Sequence, residues 1–256
     1  MTTPPMPSTG LTREAGQSLP VACGNFLFRY RNAIFPVVLL ALAASFPPVY
    51  PRGSARLDRW MDLLGFAVAL AGQGLRAGVI GYTYVSRGGK HGRVHAKRLV
   101  TEGFFRHSRN PLYLGNLLIL LGLFIMYNNP WVYLLGGAFF LFAYRAIVAA
   151  EEAYLRAKFG TQYDEYCRDV RRWLPDFRGV RRSLEGFRFD WRRLVLKEYG
   201  STYAWIATVL ALLAYESLAN ADWTPRYLGV LSILLAGASA GWAAARYLKK
   251  GTLGWA

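Results

Sequence analysis

Long apolar runs, with the charge gathered into blocks between them, leave this chain few folds to choose from. The runs cover 33–49, 60–85, 112–127, 131–150, 203–218 and 227–247. Each is close to the roughly 20 residues a helix needs to cross the hydrocarbon core of a bilayer. The first ends in Pro47, Pro48 and Pro51, and the second is interrupted in its body by Gln73 and Arg76. Only Asn128, Asn129 and Pro130 part the third run from the fourth. That spacing predicts a tight antiparallel hairpin, with slanted crossing as the way to fit its slightly short arms. Backbone in lipid must satisfy its own hydrogen bonds, and runs without alternation rule out a barrel, so these are helices. The expected fold is all-α, a polytopic integral membrane protein with about six transmembrane helices. Its expected organisation is an N-terminal tail over 1–32, a membrane core over 33–180, and an interfacial helix plus a last pair of spans over 181–256.

Charge then sets orientation. The net charge is +16, from 31 Lys and Arg against 15 Asp and Glu. Arg87, Lys90, Arg93, Lys97, Arg98, Arg106 and Arg109 crowd the segment before the third run, and about a dozen more basic residues follow the fourth. The turn between those runs has none. The positive-inside bias therefore puts both termini and both basic segments in the cytoplasm, as in a bacterial inner membrane. Arg52, Arg56 and Arg59 fall on the other side, a small dissent, because the opposite orientation would export far more charge. The same bias accounts for the basic composition without nucleic acid, which is not an expected partner. "RRSLEGFRFDWRRLVLKEY" reads as an interfacial helix with Phe187, Trp191 and Leu194 toward lipid and its arginines toward anionic headgroups.

Other features carry less. Residues 1–20 are rich in Pro, Thr and Ser without the layout of a signal peptide, which predicts a disordered cytoplasmic tail. Cys23 and Cys167 imply no disulfide framework. His91 and His95 have a spacing that suits a metal on a helix, but they sit in a Gly-rich loop without a matching carboxylate or thiolate, so no metal is expected there. "GQGLRA", 72–77, matches a dinucleotide fingerprint only outside its βαβ context. Its glycines, with Gly74 and Gly78 in GxxxG spacing, read as a place where another helix approaches closely. Gly237 and Gly241 offer a second such face in the last pair of helices, suited to packing or to a homo-oligomer contact. Arg76 either snorkels to the interface or faces a cavity or a partner, since charge within a membrane helix is costly.

Two stretches concentrate chemistry. In "TEGFFRHSRNPLYLGNLL", 101–118, Asn110 followed by Pro111 is a helix start, with Asn110 as N-cap and Pro111 at the first helical position. The positive end of that helix, beside Arg106, His107 and Arg109, would hold an anionic group at the membrane surface. In "RAIVAAEEAYLRAKFGTQYDEYCRDVRRWLP", 145–175, Glu151 and Glu152 come where the fourth helix leaves the membrane, next to the entrance at Asn110. Adjacent helical residues point about 100° apart, so one glutamate faces the pocket and the other pairs with a basic neighbour. Phe159, Tyr163 and Tyr166 form a packing face that folds the following helix back over the site.

Together, "LVTEGFFRHSRNPLYLGNLLILLG" and "EEAYLRAKFGTQYDEYCRDVRRWLP" resemble the isoprenylcysteine carboxyl methyltransferase and phospholipid methyltransferase superfamily over about 65–175. Asn110 stands where that family most often has His, so a His-dependent proton transfer at this position is excluded. The resemblance implies S-adenosylmethionine bound at the cytoplasmic half of the hairpin, with a lipid-like acceptor arriving from the bilayer. It implies that His107, Asn110, Pro111, Tyr113, Leu114 and Gly115 frame the cofactor, and that Arg109, Glu151, Glu152 and Arg76 form the catalytic set. A carboxylate acceptor would need orientation by Arg109 or Arg76, whereas an amine or thiol would need a glutamate as base. A nicotinamide-dependent sterol-reductase-like enzyme, a small-thiol methyltransferase and a non-catalytic scaffold are the alternatives.

Overall fold

A computed structural model describes residues 18–83, 87–90, 93–96 and 98–253. The helices are α1 (Leu19–Ser45), α2 (Ala55–Tyr82), α3 (Pro111–Tyr127), α4 (Gly137–Phe159), α5 (Thr161–Asp169), α6 (Val180–Ser183), α7 (Trp191–Ala219) and α8 (Pro225–Leu253). A π-helical turn, Val132–Gly136, leads into α4 and makes Val132–Phe159 one continuous rod. Five of these helices are long and apolar enough to cross a membrane, and α3 is a shorter apolar helix. The chain is an all-α polytopic membrane protein, with one small exception. β1 (Arg87–Lys90) pairs antiparallel with β2 (Arg93–Ala96), in register Gly88 to His95, where the sequence predicts only a Gly-rich loop. His91 and residues 1–17 of the expected tail lie outside the described residues.

The helices pack in pairs. α2 lies against α3 because glycine removes the side chains between them at two levels. A Cβ on Gly72 would meet the Gly115 carbonyl oxygen at 2.6 Å, and one on Gly65 would meet that of Gly122 at 2.5 Å. Seven-residue spacing on both helices brings these small residues to one face, so the backbones touch and dispersion replaces the hydrophobic driving force that lipid does not supply. The expected GxxxG contact is corrected accordingly: Gly74 faces open space, and Gly78 meets the Phe104 ring rather than a helix. A Cβ added at Gly237 or Gly241 would likewise meet nothing within 4 Å among the described residues.

α1 pairs with α4 in the same way, through Gly24 against the Ala146 carbonyl. It begins at Leu19 rather than near residue 33, because Leu27 and Phe28 bury against Ala143, Ala146 and Ile147 and hold its polar first half helical. The α3–α4 turn is as tight as its sequence predicts. Asn128 caps α3 in the left-handed conformation at φ 49°, and its amide donates to the Val49 carbonyl at 2.9 Å. Asn129 donates to Pro47 at 2.8 Å. The two arms meet mostly through side chains such as Phe124 and Phe140.

The expected interfacial helix over 181–199 divides in two. α6 is a single turn, and α7 starts at Trp191, capped by the Asp190 carboxylate accepting from the Arg193 N–H at 2.8 Å. From there α7 runs unbroken into the fifth span and packs on α2. The cap and the continuous helical run outweigh the change in amphipathicity that suggested a separate element.

Candidate functional site

Where α3 begins, α1, α2, α4 and α7 converge around a cavity of about 390 Å³. Its aromatic wall is Phe28 and Phe35 of α1, Phe105, Tyr113 and Tyr144. The Tyr113 and Tyr144 rings lie 5.6 Å apart, and Phe35 meets Tyr144 edge-on at the same distance. Polar groups enter from every helix: Arg31 and Asn32 from α1, Arg76 from α2, Arg109 and Asn110 from the approach to α3, Asn116 from α3, Glu151 from α4 and Ser201 from α7.

Arg76, Arg109 and Glu151 are each held by a neighbour. Arg76 makes a bidentate pair with Glu198 of α7, Nε to Oε2 at 2.9 Å and Nη2 to Oε1 at 2.7 Å, and also donates to the Asn116 side chain. Gly115 makes this possible, since a Cβ there would sit 2.6 Å from Arg76 Cγ. Glu151 accepts from the Tyr113 hydroxyl at 2.7 Å. Glu152 turns the other way and ties Arg109 at 3.4 Å and Arg172 at 3.1 Å. Arg109 also donates to Cys167 Sγ at 3.0 Å. Burial works against the Arg109 cation, but the Glu152 carboxylate and the Cys167 sulfur outweigh it and move its pKa above the ordinary arginine value.

A strap of hydrogen bonds to residues 171–176 fixes this approach from outside. Arg109 N–H donates to Arg171 at 2.9 Å, Ser108 Oγ to Trp173 at 3.1 Å, and Asp176 N–H to His107 at 3.1 Å. The Asn110 amide donates to the Arg172 carbonyl at 3.1 Å instead of capping α3. This corrects the capping role read from the Asn-Pro step and leaves the first-turn N–H groups of α3 to the cavity. Tyr163 and Tyr166 are buried with Phe159 packed beside them, and the Tyr166 hydroxyl donates to the Phe105 carbonyl at 2.7 Å, so α5 folds back over the site.

Of the residues singled out from sequence, Arg76, Arg109, Asn110, Pro111, Tyr113 and Glu151 line the cavity together. Glu152 stands behind Arg109, Leu114 lies outside the lining, and Gly115 supports the Arg76 stem. His107 instead lines a separate surface cavity with Arg106, Arg171, Arg178 and Arg182, its Nδ1 on the Asp176 carbonyl. Sequence reasoning missed Arg31, Asn32, Asn116, Tyr144, Ser201 and Glu198. The available signal was a polar group interrupting an apolar run, as Asn116 does within "PLYLGNLL".

Residues 64–162 match the family model described as phospholipid methyltransferase, a stretch that includes Arg76, Arg109, Tyr113 and both glutamates. The chain is 28% identical over 172 residues to the cobalt-zinc-cadmium resistance protein CzcN of Cupriavidus metallidurans, covering 66% of this chain and 75% of that protein. It is 36% identical over 89 residues to a probable protein-S-isoprenylcysteine O-methyltransferase of rice, covering 32% of this chain and 45% of the rice protein. An uncharacterized Haemophilus influenzae protein is 41% identical over its whole length, which spans 25% of this chain. No solved structure matches. On a helical membrane fold, the matched stretch supplies the α2, α3 and α4 side of the cavity, while Phe28, Arg31, Asn32, Phe35 and Ser201 lie outside it; over residues 64–162 the chain is thus similar to the phospholipid methyltransferase family, with probable isoprenylcysteine O-methyltransferases among its relatives.

Proposed function

We propose that this protein transfers a methyl group from S-adenosylmethionine to a carboxylate on a lipophilic acceptor at the cytoplasmic face of a bacterial inner membrane. The observation that carries the reading is the division of charge around one cavity: arginines 31, 76 and 109 with Glu151, set in an aromatic wall at a helix N-terminus. The cavity volume lies within the roughly 300–1,000 Å³ of small-molecule sites.

The cofactor fits this donor set. When bound, it supplies an electrophilic methyl on a sulfonium. Glu151, oriented by Tyr113, suits its ammonium group, and the first-turn N–H groups of α3 with Arg31 suit its carboxylate. The Tyr113 and Tyr144 rings suit the positive sulfur by their negative faces. Arg109, held charged by Glu152, would orient the acceptor carboxylate in line with the methyl. A carboxylate is already ionised, so no base is needed, and the protein's work is alignment and exclusion of water. The relatives named as probable isoprenylcysteine O-methyltransferases support a carboxylate attached to a lipid. In this orientation the basic segments around 86–110 and 151–201 face the cytoplasm and its anionic lipids.

Calorimetric titration of the purified, detergent-solubilised chain with S-adenosylhomocysteine, and in parallel with NADPH, tests the cofactor. Saturable binding of the first alone is expected. Binding of NADPH alone, or of neither, overturns the reading. Incubation of membranes with methyl-labelled S-adenosylmethionine then tests the acceptor: label released as methanol by mild alkali marks a carboxyl ester, and alkali-stable label marks an amine or a thiol and refutes the carboxylate.

A further inference from the structure

At the end of the bundle opposite the cavity, α2 and α7 bring three carboxylates together. Asp58 and Asp62 lie on one face of α2 by their spacing, and Glu216 meets them from the last turn of α7. One ligating oxygen of each lies within 4.8 Å of the others. Asp58 and Glu216 are both 4% exposed. Asp58 Oδ1, Asp62 Oδ1 and Glu216 Oε1 are all buried without a hydrogen-bond partner. The ion pairs formed among the described residues use other carboxylates: Glu198, Glu152, Asp164 and Asp190. A fourth carboxylate, Asp222, accepts from the Tyr50 hydroxyl beside the cluster and adds further negative charge.

This arrangement is costly as protein alone. Asp58 occupies the first turn of α2, where the helix dipole favours one negative charge. The dipole does not account for two more carboxylates in contact with it, since like charges so close oppose one another's ionisation. Nor does it account for three buried acceptor oxygens without donors, each of which forfeits its hydration.

We propose that Asp58, Asp62 and Glu216 form a divalent-cation site that clamps the start of α2 to the end of α7. Oxygens bound to one ion at about 2.4 Å can lie at most about 4.8 Å apart, and one oxygen from each of the three carboxylates lies within 4.8 Å of the others. A donor set of carboxylates, with no imidazole or thiolate, suits a hard ion such as Mn²⁺ or Ca²⁺. The ion neutralises most of the cluster's charge and satisfies the orphaned oxygens. It also joins the same two helices that Arg76 and Glu198 join at the cavity, so the α2–α7 contact is pinned at both levels. The site rests on residues remote from the cavity and is independent of the methyl-transfer reading.

The test is Mn²⁺ titration of the full chain, purified in detergent and stripped with EDTA. The free-ion electron paramagnetic resonance signal is followed alongside thermal unfolding. Uptake of about one equivalent is expected, with a saturable rise in Tm at the same concentrations and competition by CaCl₂. The Asp62→Asn/Glu216→Gln double variant relieves repulsion and should remain monodisperse, but lose at least about tenfold in Mn²⁺ affinity, or about 1.4 kcal/mol. Asp58→Asn provides a second, separately folded check with the same expected loss. The proposal is overturned if the wild-type chain takes up neither ion, or if both variants bind Mn²⁺ as it does. It is equally overturned if the wild-type Tm ignores both cations and rises only on acidification, which would mean that the cluster is closed by shared protons.

Discussion

Replacing Glu198 by Leu would leave the Arg76 guanidinium buried with Asn116 as its one side-chain acceptor among the described residues. The pair is well sequestered, with side-chain exposures of 12% for Arg76 and 5% for Glu198, and its two hydrogen bonds are 2.9 and 2.7 Å. Removing one member of such a pair costs about 3–5 kcal/mol, because the surviving charge is uncompensated. Asn116 still accepts from Arg76, so the lower end is expected, about 3 kcal/mol. For a chain of this size each kcal/mol moves Tm by roughly 2–4 °C, so Glu198→Leu should lower Tm in detergent by roughly 6–12 °C. The double variant Arg76→Met/Glu198→Leu removes both charges and restores apolar volume, and should recover most of that loss. It should still bind S-adenosylhomocysteine poorly, since Arg76 lines the cavity. Thermal unfolding followed by intrinsic fluorescence measures the first two outcomes, and calorimetry the third. A Glu198→Leu chain that melts within about 1 °C of wild type, or a double variant no more stable than the single, would refute a desolvated pair at this position.

Glu151→Gln should weaken S-adenosylhomocysteine binding by about tenfold or more, the loss of a charge-assisted contact. Glu152→Gln should act mainly on stability, because it leaves Arg109 and Arg172 without their carboxylate; equal effects of the two on binding would contradict the assigned facing. Gly122→Val should cost about 1–3 kcal/mol by driving α2 off α3, visible as a lower Tm, since the new side chain would strike the backbone at Gly65 and Ala69. The pKa of Arg109 is raised, so its contribution is complete below the unfolded value and is lost only as pH rises through the still higher folded value. An arginine stays charged throughout the accessible range, so binding through Arg109 should be flat from about pH 6 to 10, whereas Arg109→Lys should weaken toward the alkaline end. Asp190→Ala should lower stability by about 1 kcal/mol through loss of the α7 cap.

Much of the fold was legible in the sequence because its causes are local. A run of apolar residues long enough for the bilayer becomes a helix wherever it occurs, and an Asn-Asn-Pro step turns the chain between two of them. The neighbourhood of Arg109, Tyr113 and Glu151 was legible for the same reason, since so short a turn puts the entrance of α3 beside the exit of α4. Periodicity also placed one glutamate toward the cavity and one toward a basic partner, but which of the two was a matter of helix rotation, and only packing of α4 on α1 decided it.

The rest depended on contacts between residues far apart in the chain. Arg76 and Glu198 are separated by 122 positions, and Asp58 and Asp62 meet Glu216 only because α2 packs on α7. Leu19 to Asn32 looks like a polar tail until Leu27, Phe28 and Gly24 find α4, after which Arg31 and Asn32 close the cavity. The glycine contacts show the same division. Sequence spacing marks several small residues on α2 as able to meet another helix, but it is the rotation of α2 about its axis that turns Gly65 and Gly72 to α3 and Gly74 to open space. Local propensity determined which segments are helices, and tertiary packing alone decided which faces meet, because a buried charge or a missing side chain acquires its partner only when a second helix arrives.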